Sequence, residues 1–167
     1  MLIYLDANIV QYCADFDGYL SGDSRECPVR DSWLRGQLEG LRELIELDQH
    51  GHWDFAAPEE LLRELHRGRP TREQRKTYPI LERATMTPEP DRRRVDNVSA
   101  CLIGLGLSRS DRRQLATAAA MGASWFITCD QEIVRRVADT LDGRIDSMRV
   151  AHPSSAVQEV RVGLSLK

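Results

Sequence analysis

Four acidic residues stand where a parallel α/β sheet gathers its functional groups. Each follows a short apolar run or lies in or near the start of an amphipathic helix: Asp6, Glu64, Asp111 and Asp130. Carboxylates are hard oxygen ligands of the kind that Mg²⁺ and Mn²⁺ prefer. A metal held by them can polarise a phosphate and lower the pKa of an attacking water. The set is therefore a candidate for metal-dependent hydrolysis.

The elements that would position these acids alternate between strand and helix. Apolar runs predict strands at 1–5, 53–57, 124–128 and 148–151. Helical spacing predicts helices at 9–14, 31–49, 58–67, 112–121, 131–141 and after Pro153. The composition of 15–30 predicts a loop, and that of 71–105 predicts two helices broken near Pro88. This alternation is typical of an α/β sandwich with a mainly parallel sheet of four or five strands, and 167 residues fit one domain.

The sheet explains how distant acids could meet. In an open parallel sheet, ligands bind outside the carboxyl ends of the strands. Asp6 ends the first predicted strand and Asp130 follows the third, so both should open on one edge. Asp111 begins a helix and Glu64 lies in the helix after the second strand. All four converge if those helices flank the same crevice.

Each of these acids also has a structural explanation. Asp6 and Asp130 are well placed to cap the helices that follow them, a role worth about 1 kcal/mol. Asp111 lies three residues after Ser108, which resembles a capping box, and an acid in the first turn also favours the helix dipole. Capping and metal binding therefore stay open for these three positions.

Glu64 has two rivals on its own helix. At about 100° per residue, the apolar stripe of that helix centres near Leu65, and Glu64 lies roughly 105° from the centre. Glu60 lies roughly 145° away and is better suited to solvent, whereas Glu59 is at a similar angle to Glu64 on the other flank. Glu64 is the favoured candidate, and Glu59 is not excluded.

In order and spacing, these segments resemble the PIN-domain ribonucleases, especially the VapC-like toxins of toxin–antitoxin pairs. The opening strand and Asp-x-Asn of that family match residues 3–8, and its Glu-Leu matches Glu64-Leu65. Its Asp, Ala-rich helix and Gly match 111–122, its Thr-x-Asp matches 128–130, and its closing strand and helix match 150–160.

The resemblance implies one PIN-like domain over 1–167, an α/β/α sandwich that acts as a Mg²⁺- or Mn²⁺-dependent endoribonuclease. The four acids would hold the metal, and Asn8 and Thr128 would order the site through hydrogen bonds. RNA would be the substrate, with a cognate antitoxin and a second copy of the chain as partners. Helical insertions around 15–40 and 69–105, and Ala57 where the family often has Ser, depart from the pattern.

Composition limits the other classes of protein. Hydrophobic residues make up 41% and charged residues 29%, and the sequence shows neither a membrane span nor a signal peptide, so a cytoplasmic protein is expected. The four cysteines lack zinc or disulfide spacing and should be reduced core thiols. A net charge of −3 argues against wrapping duplex DNA by bulk charge.

Arginine supplies 21 of the 23 basic residues, since only Lys76 and Lys167 are lysines. Arginine can contact phosphate bidentately, so several Arg runs are candidates for an RNA track. Solvated helix faces and an Arg-favouring codon bias are simpler explanations. The runs are Arg92-Arg93-Arg94, Arg112-Arg113 and Arg135-Arg136.

Two other functions fit parts of the pattern. A catalytically inactive PIN-like module could bind RNA or a protein, although the four acids argue against a degenerate site. A haloacid-dehalogenase-like phosphatase also begins with a strand ending in Asp. It needs a second Asp, where this chain has Asn8, and a supporting Lys, for which Lys76 is not suited because it lies between the predicted strands. No histidine nucleophile or base is expected, because the four histidines lack a common spacing.

Overall fold

The computed structural model of the chain describes residues 1–48, 54–56, 61, 65, 80, 90–141, 144–145 and 147–165. Within these residues, one sheet has five strands in the order β2-β1-β3-β5-β4. The strands are β1 (Leu2–Leu5), β2 (Asp54–Ala56), β3 (Trp125–Ile127), β4 (Arg144–Ile145) and β5 (Met148–Ala151). Strands β2, β1, β3 and β5 are parallel, and β4 runs antiparallel to β5. The predicted α/β fold with a mainly parallel sheet is confirmed.

Strands β1 and β3 form the centre of the sheet. Both are short and apolar, and a parallel strand covered on its two faces requires such a sequence. Tyr4 pairs in register with Phe126, their rings stack with centroids 5.3 Å apart, and both side chains are fully buried. The carboxyl ends of β1 and β3 are thereby held side by side.

Helices flank the sheet, and most lie where periodicity predicts them. Two differences concern short elements: a one-turn helix forms inside the predicted loop 15–30, and the two-residue strand β4 was not predicted. The helices are α1 (Ala7–Asp15), α2 (Asp17–Leu20), α3 (Ser32–Asp48), α4 (Arg92–Cys101), α5 (Arg109–Ala120), α6 (Gln131–Leu141) and α7 (Pro153–Ser165), with a 3-10 turn at Ile103–Leu105.

Two predicted segments fall largely outside the described residues. Of the helix predicted after β2, the structure describes Leu61 and Leu65, which are both helical and buried, in agreement with the predicted apolar stripe. Of the two helices predicted within 71–105, the second corresponds to α4, and most of the first lies outside the described residues. None of the described helices is long and apolar enough to cross a membrane.

Helix α3 packs closely against the start of α7. The buried side chain of Gln37 accepts hydrogen bonds from the Ser154 backbone N–H at 3.3 Å and from its hydroxyl at 2.9 Å. One turn further along α3, a Cβ added to Gly40 would lie 2.6 Å from the Ser154 backbone. Glycine is therefore required at position 40 by the proximity of the two helices.

A pair of substitutions in α3 tests this contact. Gly40→Ala is expected to lower the free energy of unfolding by about 1–3 kcal/mol, because the added methyl meets backbone that must move. Gly36→Ala is the matched control, since a Cβ there has no described atom within 4 Å. It should raise stability by up to about 1 kcal/mol through helix propensity. Urea unfolding followed by circular dichroism measures both, and equal stability of the two variants would contradict the close contact.

Candidate active site

Asp6 ends β1 and has a carboxylate that α1 does not use. Its backbone N–H donates to the Ile127 carbonyl at 2.9 Å, which ties the end of β1 to β3. Its carbonyl accepts from Ile9 and Val10, so the main chain starts α1, but its side chain makes no capping hydrogen bond. The side chain is buried, with 6% of its surface exposed. Capping by the carboxylate, one of the two explanations for Asp6, does not occur.

The Asp6 carboxylate is held by Asn8 and Thr128 instead. The Thr128 hydroxyl donates to Asp6 Oδ2 at 2.6 Å, and the Asn8 amide donates to the same oxygen at 2.7 Å. The Asn8 amide also donates to Thr128 Oγ1 at 3.2 Å, and its Oδ1 accepts from the Cys129 N–H at 3.2 Å. We call Asp6, Asn8 and Thr128 the Asp6 cluster. Asn8 and Thr128 thus make hydrogen bonds at this edge of the sheet, and their role in ordering a metal site stays a prediction.

Asp130 adjoins the cluster through its main chain. Its N–H donates to Thr128 Oγ1 at 2.9 Å. Its Oδ1 accepts from the N–H groups of Glu132 at 2.8 Å and Ile133 at 3.2 Å, so the side chain caps α6. The structure therefore brings Asp6 and Asp130 to the same sheet edge and links them through one hydroxyl, while one Asp130 oxygen is used in capping.

Asp111 forms the capping box that the sequence suggests. The Ser108 hydroxyl accepts from the Asp111 N–H at 3.1 Å, and Asp111 Oδ2 accepts from the Ser108 N–H at 3.2 Å. These reciprocal bonds satisfy two donors at the start of α5. Asp111 is only half-buried, so this structural role leaves part of its carboxylate accessible.

The fourth acid, Glu64, lies outside the described residues, as do its rivals Glu59 and Glu60. Among the residues that the structure does describe, no group of three His, Cys, Asp or Glu is arranged to hold a metal ion. In donor chemistry, the carboxylates of Asp6 and Asp130, which follow adjacent strands, suit Mg²⁺, which usually takes one or two protein carboxylates and keeps several waters. The four-acid metal site stays a prediction.

The thiol next to the cluster is neutral. Burial, and then the charge of Asp6, raises the pKa of Cys129 to about 12. Burial also raises the pKa of Cys13 to about 12, with smaller contributions from Asp17 and Cys129. A protonated thiol is a poor nucleophile and a poor ligand. All four cysteines are free; Cys13 and Cys129 are core thiols as expected, whereas Cys101 is exposed.

The sequence patterns did not indicate a role for His152, which contacts the main chain of Thr128 in the Asp6 cluster. Its Nδ1 lies 2.9 Å from the Thr128 carbonyl oxygen. A carbonyl only accepts, so this nitrogen carries the proton. The Trp33 ring meets the imidazole edge-on, with centroids 5.6 Å apart. The place of His152 in the sequence could have indicated this role, because His152 directly follows β5 at the edge of the sheet where Asp6 and Asp130 follow their strands.

The candidate RNA-binding arginines differ in their surroundings. On α6, Arg135 and Arg136 both contact Glu132, and these hydrogen bonds lower the pKa of that carboxyl. Arg136 also donates to the Leu105 carbonyl at 2.7 Å and so ties α6 to the 3-10 turn. On α5, Arg113 lies 4.0 Å from Asp96, whereas half-buried Arg112 has no such acid partner among the described residues.

Together, the sheet order, the flanking helices and the position of the Asp6 cluster define a PIN-like α/β fold with its polar groups at the carboxyl ends of parallel strands. A chain in the crystal structure of VapBC2 from Rickettsia felis bound to a DNA fragment from their promoter matches this fold with a TM-score of 0.55. The match covers 90% of this chain and 98% of that chain at 15% identity, a level that shows the fold alone. No protein-family model and no curated protein matches the sequence.

Replacing Thr128 tests whether its hydroxyl holds the cluster together. Thr128→Val keeps the shape but removes one donor and one acceptor from a buried network, and it should lower the free energy of unfolding by about 1–3 kcal/mol. Thr128→Ser, which keeps the hydroxyl, should cost less. Urea denaturation measures both, and a Val variant as stable as the wild type would show that the hydroxyl has no such role.

Thiol reactivity tests the surroundings of the cysteines. With pKa values of about 12, Cys13 and Cys129 stay protonated between pH 7 and pH 9, so their thiols should react slowly in the native protein. Exposed Cys101 should react first. Labelling with iodoacetamide followed by peptide mass spectrometry measures the order. Fast native-state labelling of Cys129 would contradict its burial beside Asp6.

Proposed function

We propose that this chain is a metal-dependent endoribonuclease of PIN type that acts as the toxin of a toxin–antitoxin pair. The observation that carries the proposal is the Asp6 cluster at the carboxyl ends of β1 and β3. The ordered motifs of the sequence and the fold shared with a chain of VapBC2 support it.

The energetics of Asp6 favour a functional explanation. Burying a carboxylate is costly unless hydrogen bonds compensate, and Asp6 is 6% exposed, with two side-chain donors on one oxygen. A helix cap could sit in solvent and would need none of these contacts. A buried carboxylate that caps nothing, at the edge where parallel sheets bind ligands, is what a fixed metal ligand requires.

In this proposal, Asp6 and Asp130 hold Mg²⁺ or Mn²⁺ with Glu64 and Asp111. When bound, such an ion polarises the scissile phosphate and lowers the pKa of an attacking water. The chain contributes orientation: Asn8 and Thr128 fix the rotamer of Asp6, which keeps its oxygens in place without reorganisation during the reaction. His152 and the Ala151 carbonyl hold the Thr128 main chain in turn.

The partners follow the same proposal. The structural neighbour is a complex of VapBC2 with promoter DNA. We propose that this chain likewise pairs with a cognate antitoxin, which would cover the edge that carries Asp6 and Asp130, and that it forms a homodimer in the cytoplasm.

Cleavage of a mixed RNA pool with Mg²⁺, Mn²⁺ or EDTA tests the activity. Asp6→Asn keeps an acceptor oxygen for Asn8 and Thr128 but removes the charge, so it should fold and lose about 100-fold or more in rate, since the loss of even an outer-shell partner of a metal ligand costs about 10–100-fold. Asp31→Asn is the matched control. It makes the same chemical change in an exposed residue that caps α3 through the Leu34 N–H at 2.7 Å, and it should cleave like the wild type.

Three outcomes separate the alternatives once circular dichroism has shown that each variant is folded. Cleavage that needs metal and is lost only in Asp6→Asn supports the proposal. Metal-independent cleavage that the Asp6→Asn variant retains would contradict the proposed nuclease function. RNA binding without cleavage by the wild type would indicate an inactive PIN-like binding module.

A further inference from the structure

We infer that one surface of the α4–α5 hairpin binds the phosphodiester backbone of single-stranded RNA and guides it to the site. This inference rests on the proposed nuclease function and specifies how the substrate is held. The arginine surface, as the term is used below, is the set of arginines at the starts of these two helices: Arg92, Arg93 and Arg94 on α4, and Arg109 and Arg112 on α5.

The hairpin is a region of positive charge in an acidic protein. Residues 91–113 contain six arginines and three aspartates, a net charge of +3, whereas the whole chain carries −3. The remainder of the chain is therefore at −6. Such a separation of charge attracts a polyanion to the positive region while the rest of the protein repels it.

The three aspartates of the hairpin are already engaged. Asp91 accepts from the Arg93 backbone N–H and caps α4, Asp111 forms the capping box of α5, and Asp96 lies 4.0 Å from Arg113. In the described part of the chain, the five side chains of the arginine surface consequently have no carboxylate partner. The arginines of α6 differ, because Arg135 and Arg136 both contact Glu132.

Stability of α4 does not account for its arginines. The three arginines of its first turn are exposed, and that turn contains no acid. Positive charge at the start of a helix opposes the helix dipole, which favours anions there. These side chains therefore sit where they weaken the helix, and binding of an external anion gives them a role.

The position of the surface favours RNA over an acidic protein segment. Helices α4 and α5 pack against each other, and Arg109 and Arg112 flank Asp111, a residue of the proposed site. The arginines of α4 all lie in its first turn, and the remaining residues of that helix carry none. The guanidinium groups therefore form two sets, one at the start of each helix, and each can bind phosphate bidentately. The set on α5 adjoins Asp111 in sequence, so a phosphate chain held there would lie beside a residue of the proposed site.

Binding of a fluorescein-labelled oligouridine, followed by anisotropy in EDTA at several KCl concentrations, tests the inference without cleavage. Arg92→Gln combined with Arg93→Gln should weaken binding by about threefold to tenfold. It should also reduce the salt slope by about 0.7 for each phosphate that the variant no longer neutralises. Because these residues oppose the helix dipole, the melting temperature should not fall.

The matched control is Arg149→Gln combined with Arg161→Gln, which removes the same charge from side chains paired with Glu159 and Glu43. It should bind as the wild type does. Equal loss of affinity in both double variants would reduce the effect to net charge and overturn the inference. Loss of poly-L-glutamate binding in the Arg92/Arg93 variant, with oligouridine binding unchanged, would assign the surface to an acidic protein and overturn it as well.

The two proposals can fail separately. A wild type that binds oligouridine through the arginine surface but never cleaves RNA supports this inference and contradicts the nuclease proposal. Metal-dependent cleavage, with the same oligouridine affinity and salt slope for the wild type and the Arg92/Arg93 variant, supports the nuclease and overturns the arginine surface.

Discussion

The arrangement of the sheet edge depends on the hydrogen bond from the Thr128 hydroxyl to the Asp6 carboxylate, 2.6 Å long. It forms only when β1 and β3 are adjacent and in register, a condition that the stacked rings of Tyr4 and Phe126 enforce from inside the core. Since the same hydroxyl accepts from the Asp130 N–H, the start of α6 is set by this contact too. Core packing and site geometry are therefore two aspects of one constraint.

Much of this arrangement could be predicted from local patterns. Short apolar runs mark β1 and β3, and an acid directly after each run places Asp6 and Asp130 at the carboxyl edge of a parallel sheet. The pattern could not decide between capping and ligand binding, because both roles use the same residue type at the same position. The structure shows that Asp111 and Asp130 cap their helices, whereas the Asp6 side chain does not, and ligand binding by all three stays a prediction.

Other features depend on partners that are distant in sequence. Arg136 donates to the Leu105 carbonyl, 31 residues away in sequence. One arginine of the pair Arg135-Arg136, which was a candidate for phosphate binding, therefore connects α6 to the 3-10 turn. His152 acquires its role only when β5 lies beside β3 and brings it to the Thr128 carbonyl. The helix α2 and the strand β4 span four and two residues, too few for periodicity to show. The choice among Glu59, Glu60 and Glu64 stays a prediction.

The strand order also has a consequence for synthesis of the chain. Strand β1 is synthesised before the other four described strands but lies inside the sheet, between β2 and β3. The Asp6 carboxylate accepts a hydrogen bond from Thr128, which is synthesised 122 residues later. The Thr128 N–H in turn donates to the Ala151 carbonyl of β5. Contacts between such distant residues form late, because the long loop must close first. A nascent chain that ends before β3 therefore has no assembled cluster, and the contacts of the Asp6 carboxylate with Thr128 form only after most of the sheet has been synthesised.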